Sequence, residues 1–167
     1  TKKIRELANK QFLEQLNLIK QLLKGCGVAL IYEPHLPNTY VNGVSYKVTC
    51  DKAIIMISDR GKKDDILWFT LFHEIAHLIK HSKKEVFVDL EDTESNDIEL
   101  EADEFARNIL IPNHIYQDFV NNNTVLNENL IKEFAKNHNI STGIVVGRLQ
   151  KDGFICWNQF HNLITRI

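Results

Sequence analysis

The residues best equipped for chemistry are His73, Glu74 and His77, in the run His73-Glu74-Ile75-Ala76-His77. On a helix, residues i and i+4 stand one above the other, so the two imidazoles would project from one face about one turn apart. That separation lets two ring nitrogens reach a single Zn²⁺ at about 2.0–2.1 Å. Glu74 points roughly 100° further round, within reach of a water beside the ion rather than the ion itself. The surrounding residues Ile66, Leu67, Trp68, Phe69, Leu71, Phe72, Ile75, Ala76, Leu78 and Ile79 cover almost every direction. A helix that is apolar all round is a buried one. Two histidines and a glutamate inside it need partners, because each unpaired buried polar group costs roughly 1–3 kcal/mol. One shared cation and its water satisfy all three.

A third protein ligand is expected from elsewhere in the chain. Residues 98–110 read as a helix whose apolar stripe is Ile98, Ala102, Phe105, Ala106, Ile109 and Leu110. At about 100° per residue, Glu99 and Asp103 fall on the edge of that stripe, stacked at i and i+4. Glu101 and Glu104 are read as pointing with Arg107 and Asn108 toward the far side. Glu99 is therefore the expected third ligand. Asp103 is placed to take a hydrogen bond from a ligand histidine, His73, and so to fix its tautomer.

The elements that must hold these groups can also be read. Residues 1–24 repeat apolar positions at helical spacing (Ile4, Leu7, Ala8, Phe12, Leu16, Ile19, Leu22, Leu23), and Gly25 and Gly27 end the run. Val28 to Tyr32, Val44 to Thr49 and Ala53 to Ile57 read as strands, the last buried on both faces. After a turn at 59–63, Asp64 or Asp65 is expected to cap a helix from Ile66 to Lys80. Residues 81–97, polar around Val86-Phe87-Val88, read as an excursion between helices. Pro112 sits where it would open a helix over 113–121, and two more are expected over 128–138 and 141–151. The pattern is α+β: a helix bundle packed beside a small sheet of about three strands. A single domain over 1–167 is expected, with the early helix and sheet in 1–60, the metal-site helices in 64–110 and a helical part in 112–167. The chain opens at Thr1 already in helical pattern, so it is expected to be part of a longer one.

Composition narrows the function classes. The 167 residues are 44% hydrophobic and 25% charged, ordinary for a folded domain, so disorder is not the default. Twenty lysines and arginines against 22 acidic residues give a net charge of −2. A domain living on DNA phosphates would be basic, so nucleic acid is not the first partner expected. No apolar run approaches the roughly 20 residues of a membrane span, and no signal peptide is evident. Cys26, Cys50 and Cys156 lie far apart and are odd in number, which points to buried thiols in a reducing compartment, the cytoplasm.

With both motifs in view, the chain resembles a known family. His73-Glu74-x-x-His77 followed by Glu99-x-x-x-Asp103 is the gluzincin arrangement of thermolysin-like peptidases. The string from Glu99 to Pro112 and the approach Trp68-Phe69-Thr70-Leu71-Phe72 resemble the smaller ImmA/IrrE-type metallopeptidase domain, over roughly residues 1–155. The resemblance implies a zincin-like core with zinc on His73, His77 and Glu99 and with Glu74 catalytic. It also implies a protein substrate, a helix-turn-helix transcriptional repressor, and a setting in toxin–antitoxin or related regulation. DNA contact would then come through a separate N-terminal helix-turn-helix domain. The chain departs from the family where Lys62-Lys63-Asp64-Asp65 replaces the usual arginines and where Phe72 replaces a small residue; both are expected to alter access to the cleft.

Thermolysin-like enzymes add a histidine or tyrosine for the oxyanion, and His114, Tyr116, His138 and His161 are the candidates here. His35 and His81 are expected to be ordinary surface or core residues. Two rival classes stand beside the peptidase. Ile131 to Ala135, Asn139 to Thr142 and Val145 to Leu149 resemble a helix-turn-helix, although few basic residues on the second segment favour two packed structural helices. The other rival is a metal-binding sensor or interaction module without proteolytic turnover.

Overall fold

The computed structural model describes residues 1–35, 40–80 and 93–167. Two helices, α1 (Lys2–Arg5) and α2 (Phe12–Lys24), lead into strands β1 (Val28–Glu33), β2 (Gly43–Lys47) and β3 (Ala53–Ser58). Five helices follow: α3 (Asp64–Lys80), α4 (Thr93–Leu110), α5 (Asn113–Asn122), α6 (Glu128–Asn137) and α7 (Thr142–Lys151). A 3-10 turn at His161–Leu163 closes the chain. The fold is α+β, as the patterning requires. Among the described residues no helix is long and apolar enough to cross a membrane.

The sheet has the order β1-β3-β2, with β1 parallel and β2 antiparallel to β3. Leu30, Ala53, Ile55 and Ile57 point into the core, whereas Ala29, Val44, Tyr46 and Met56 on the other face are exposed. The expectation that β3 is buried on both faces is therefore wrong. Its unbroken apolar run Ala-Ile-Ile-Met-Ile hides an alternation of burial, because the helices cover one side of the strand.

Helix α3 lies across the covered face and supplies much of the core. Leu67, Trp68, Leu71, Phe72 and Ala76 are at most 1% exposed. Trp68 meets Phe12 edge to face at 5.0 Å and donates its indole N–H to the Lys10 carbonyl at 3.2 Å. Phe72 is one of these core groups, so it does not govern access to a cleft as expected. Helix α7 packs on α3 through Val145, Val146 and Leu149, and α6 packs on α7. The pair that resembles a helix-turn-helix thus completes the core.

Several local expectations change for tertiary reasons. The single helix over 1–24 is two, broken at Gln11, whose backbone is extended. Backbone groups at the break are taken by distant partners: Ser141 N–H donates to Ala8 C=O at 2.8 Å, and Phe12 N–H donates to the Asp64 carboxylate at 2.6 Å. Asp64 opens α3 but spends its side chain on that bond. Residues 93–97 are helical, so α4 begins earlier than Ile98. The rest of the expected excursion, with Val86 to Val88 and His81, lies outside the described residues. All three cysteines are exposed and free. Each sits in a turn or loop, Cys26 between two glycines, Cys50 at the β2–β3 connection and Cys156 near the end, where no element folds over it.

Candidate metal centre

Helix α4 runs beside α3 and brings two motifs together that are 22 residues apart in the chain, from His77 to Glu99 (99 − 77). His73 Nε2 and His77 Nε2 stand 2.9 Å apart. Glu99 reaches across from α4, with Oε2 3.1 Å from His73 Nε2 and Oε1 3.3 Å from His77 Nε2. Ligand atoms held tetrahedrally at about 2.05 Å from one ion are separated by roughly 3.3 Å. The three donors match that spacing, and their atoms all lie within 4.8 Å of one another. The site thus fits a divalent cation on donor chemistry and spacing together.

Asp103, one turn after Glu99, accepts a hydrogen bond from His73 Nδ1 at 2.9 Å. A carboxylate only accepts, so the proton of a neutral His73 sits on Nδ1 and the lone pair on Nε2 faces the other two donors. Both histidines are mostly buried, whereas Glu99 is half exposed and forms the open side. Burial alone would lower the His73 pKa. The bonds to Asp103 and Glu99, with the charges of Glu74 and Glu99, outweigh it and hold the ring at about 9. Hydrogen bonds from His73 and then His77 hold Glu99 well below the usual carboxylate range. The field that keeps a proton on His73 equally favours a cation where the three donors converge.

Glu74 is 5% exposed. Burial pushes its carboxyl pKa up, against the pull of Ser45 and the two imidazoles. Its neighbours come from the edge strand β2. Ser45 Oγ donates to the Glu74 carbonyl at 3.1 Å. A Cβ on Gly43 would lie 2.8 Å from Glu74 Oε1 and 2.5 Å from Thr70 Cγ2, so only glycine lets the strand pass this close. Gly43 and Ser45 carry no motif, and the sequence reading missed both. The only available signal was a glycine at the mouth of a short strand.

The face reading of α4 holds for its acids. Glu101 turns outward to Lys80 at 2.6 Å, away from the histidines. It fails for Arg107, which lies i+4 from Asp103 and follows it round the same side. Its guanidinium meets Asp152 at 3.2 Å. The four oxyanion candidates lie elsewhere. Tyr116 is buried beneath the Arg148 guanidinium at 3.8 Å, His138 packs against Phe134 with ring centroids 4.5 Å apart, and His114 and His161 are exposed. His35 is at the end of the sheet, its N–H donating to Asp59 at 2.6 Å.

No curated protein matches the chain. A family model does: it covers residues 25–150, from the start of the sheet to the end of α7, and leaves α1 and α2 outside. By that match over most of its length, with the His-His-Glu cluster inside the matched span, the chain belongs to the peptidase M78 family of metallopeptidases, described as the IrrE N-terminal-like domain.

Proposed function

We propose that the chain is a zinc-dependent endopeptidase of the cytoplasm that hydrolyses a peptide bond in a regulatory protein, a helix-turn-helix transcriptional repressor. The observation that carries this reading is the convergence of His73 Nε2, His77 Nε2 and the Glu99 carboxylate, with buried Glu74 next in sequence to one ligand. A His₂-carboxylate set suits zinc in a hydrolytic site. When bound, the ion supplies Lewis acidity, polarising a peptide carbonyl and acidifying a water.

The chain's own groups do the rest. Glu74 takes the proton of the attacking water on a carboxylate oxygen and passes it to the leaving amine. Its burial favours the protonated form, which makes it a ready proton donor in the second step. Asp103 keeps the His73 ring in one tautomer and one orientation. Gly43 and Ser45 hold β2 against Glu74, and this edge strand gives an extended peptide a backbone to pair with. The repressor substrate rests on the family resemblance alone. Packing of α7 on α3 supports assigning any DNA contact to another domain.

The test is Glu74→Gln in the metal-loaded protein, assayed on any helix-turn-helix repressor encoded beside it and on a random peptide library. Zinc content by mass spectrometry should stay at one ion per chain while cleavage falls by about 10²–10⁴-fold. Undiminished cleavage would remove Glu74 from the mechanism. Wild-type protein that holds zinc yet cuts neither this repressor nor any peptide in a random library would favour the sensor module.

A further inference from the structure

A cavity of about 430 Å³ opens beside the metal centre, between the first half of α3, the second half of α4 and α7. Three of its wall residues belong to the site's own scaffold. Asp103 holds His73, Phe69 stands one turn before His73 with its ring 6.1 Å away, and Thr70 stands one turn before Glu74. Ile66, Ile111 and Trp157 make other walls apolar. A side chain of a peptide lying across Glu74 would enter here.

The charge at the inner end is Asp65. Its carboxylate rests on α7 at two glycines one turn apart: Gly143 lies against its Cβ, and a Cβ on Gly147 would fall 2.7 Å from Oδ2. Oδ1 is sealed from solvent, and the Asp65 and Ile66 backbone N–H groups are close enough to act on the carboxylate. Burial pushes the carboxyl up to about 6, with Lys63 opposing, so it is still an anion above neutral pH. Since Oδ1 is sealed, an incoming cation meets the carboxylate from the side that lines the cavity.

Four basic residues also line the cavity, and their positions decide what they do. Arg107 and Arg148 are held by Asp152, at 3.2 and 3.6 Å, and Arg148 donates to the Ile111 and Arg107 carbonyls. Lys63 is only partly buried and Lys151 is exposed. Exposed ammonium groups act through water at a dielectric near 80, whereas a pair near the protein interior acts at about 20, roughly four times more strongly. Lys151 is screened in this way, whereas Lys63, partly buried like Asp65, offsets only part of a carboxylate that stays anionic.

We infer that this cavity is the subsite for a substrate side chain flanking the scissile bond, and that Asp65 selects a basic one, arginine or lysine. The apolar stem lies along Phe69 and Trp157 and the cationic head meets Asp65. This rests on the peptidase reading, yet it makes a binding claim that needs no turnover.

The chain has two tryptophans, Trp68 wholly buried and Trp157 63% exposed on the cavity wall, so fluorescence reports occupancy. The zinc-loaded chain is titrated with N-acetyl-arginine amide, N-acetyl-leucine amide and N-acetyl-glutamate amide. The arginine compound should bind at least about tenfold more tightly than the other two, a difference of about 1.4 kcal/mol. Asp65→Asn should abolish that preference without lowering the thermal midpoint, and Gly147→Ala, which displaces Oδ2, should weaken it. Trp157→Phe should silence the signal. Tightest binding of the glutamate compound, equal binding of all three or no saturable signal overturns the inference. A random peptide library separates the two readings. Cleavage with no basic preference beside the cut sinks the subsite and keeps the peptidase, whereas arginine binding with no cleavage keeps the subsite and sinks the peptidase.

Discussion

Two polar clusters sit within this helical body and differ in how their hydrogen bonds close. Around Arg5 and Arg148 the guanidinium donors are spent mainly on main-chain carbonyls at helix ends. Arg5 donates to the Leu110 and Ile109 carbonyls at 2.8 and 3.1 Å, and to the His138 and Asn139 carbonyls at 3.0 and 2.9 Å. It caps the ends of α4 and α6 at once, where helix carbonyls lack intrahelical partners. Arg148 does the same for Arg107 and Ile111 while lying over the Tyr116 ring. Around His73 and His77 the donors instead face one another across a common point. Donors spent on helix-end carbonyls are what a structural cluster shows; nitrogen and oxygen atoms converging on one point are what a metal site would need. Both clusters perturb pKa values, so perturbation alone would not tell them apart.

The distinction can be broken by substitution on either side. Glu99→Ala should weaken zinc binding by more than about 10²-fold, beyond the 10–100-fold typical of outer partners, while Glu101→Ala leaves it unchanged. Competition with a chromophoric chelator measures both, and the reverse ranking would sink the face reading of α4. Arg5→Ala should do the opposite, lowering stability by about 1–3 kcal/mol because helix-end carbonyls lose a charged donor, with zinc stoichiometry intact. Urea unfolding beside metal analysis tests that pairing of outcomes. Asp103→Asn occupies the middle ground. It should cost 10–100-fold in zinc affinity and little stability, since the ring loses its orienting anion but the helices keep their packing.

Asp65 belongs to neither cluster and gives the smallest effect. Its folded pKa, about 6, lies above the ordinary aspartate value of 3.8, chiefly through burial, with Lys63 and the backbone N–H groups of Asp65 and Ile66 lowering it and Asp64 raising it. The folded state therefore binds more protons between those values, and stability falls as pH rises from about 4 to about 6. Asp65→Asn should remove that slope and raise stability by about 1–2 kcal/mol at pH 7.5, with no gain below pH 4. Thermal melts across that range would show it; a variant less stable at pH 7.5 would mean the carboxylate is already partnered.

Much of the site was legible because helical geometry is local. The i, i+4 spacing of His73 and His77, and of Glu99 and Asp103, determines which side chains share a face before any packing is known. Glu101 was separated from Glu99 on those grounds, and the bond to Lys80 agrees. By the same rule Arg107, one turn from Asp103, shares its side of α4, where it meets Asp152. Other features had no local signature. The break at Gln11 depends on partners 52 and more residues away. The one-sided burial of β3 depends on which face the helices cover, and an unbroken apolar run does not say. The cysteines are exposed because their loops lie at the ends of elements, a property of the whole fold.

The sequence by itself determined the two helical faces, the donor types they carry and the α+β class, since these follow from periodicities of a few residues. Only the tertiary structure decided that the faces meet, with donors 2.9–3.3 Å apart, and that β2 runs against Glu74 at Gly43. It alone gathered Lys63, Asp65, Asp103 and Gly147 around one cavity. The physical reason is range: helical periodicity is written within one turn, whereas a cluster forms where separate elements share a core, and each element's sequence is silent about its neighbour.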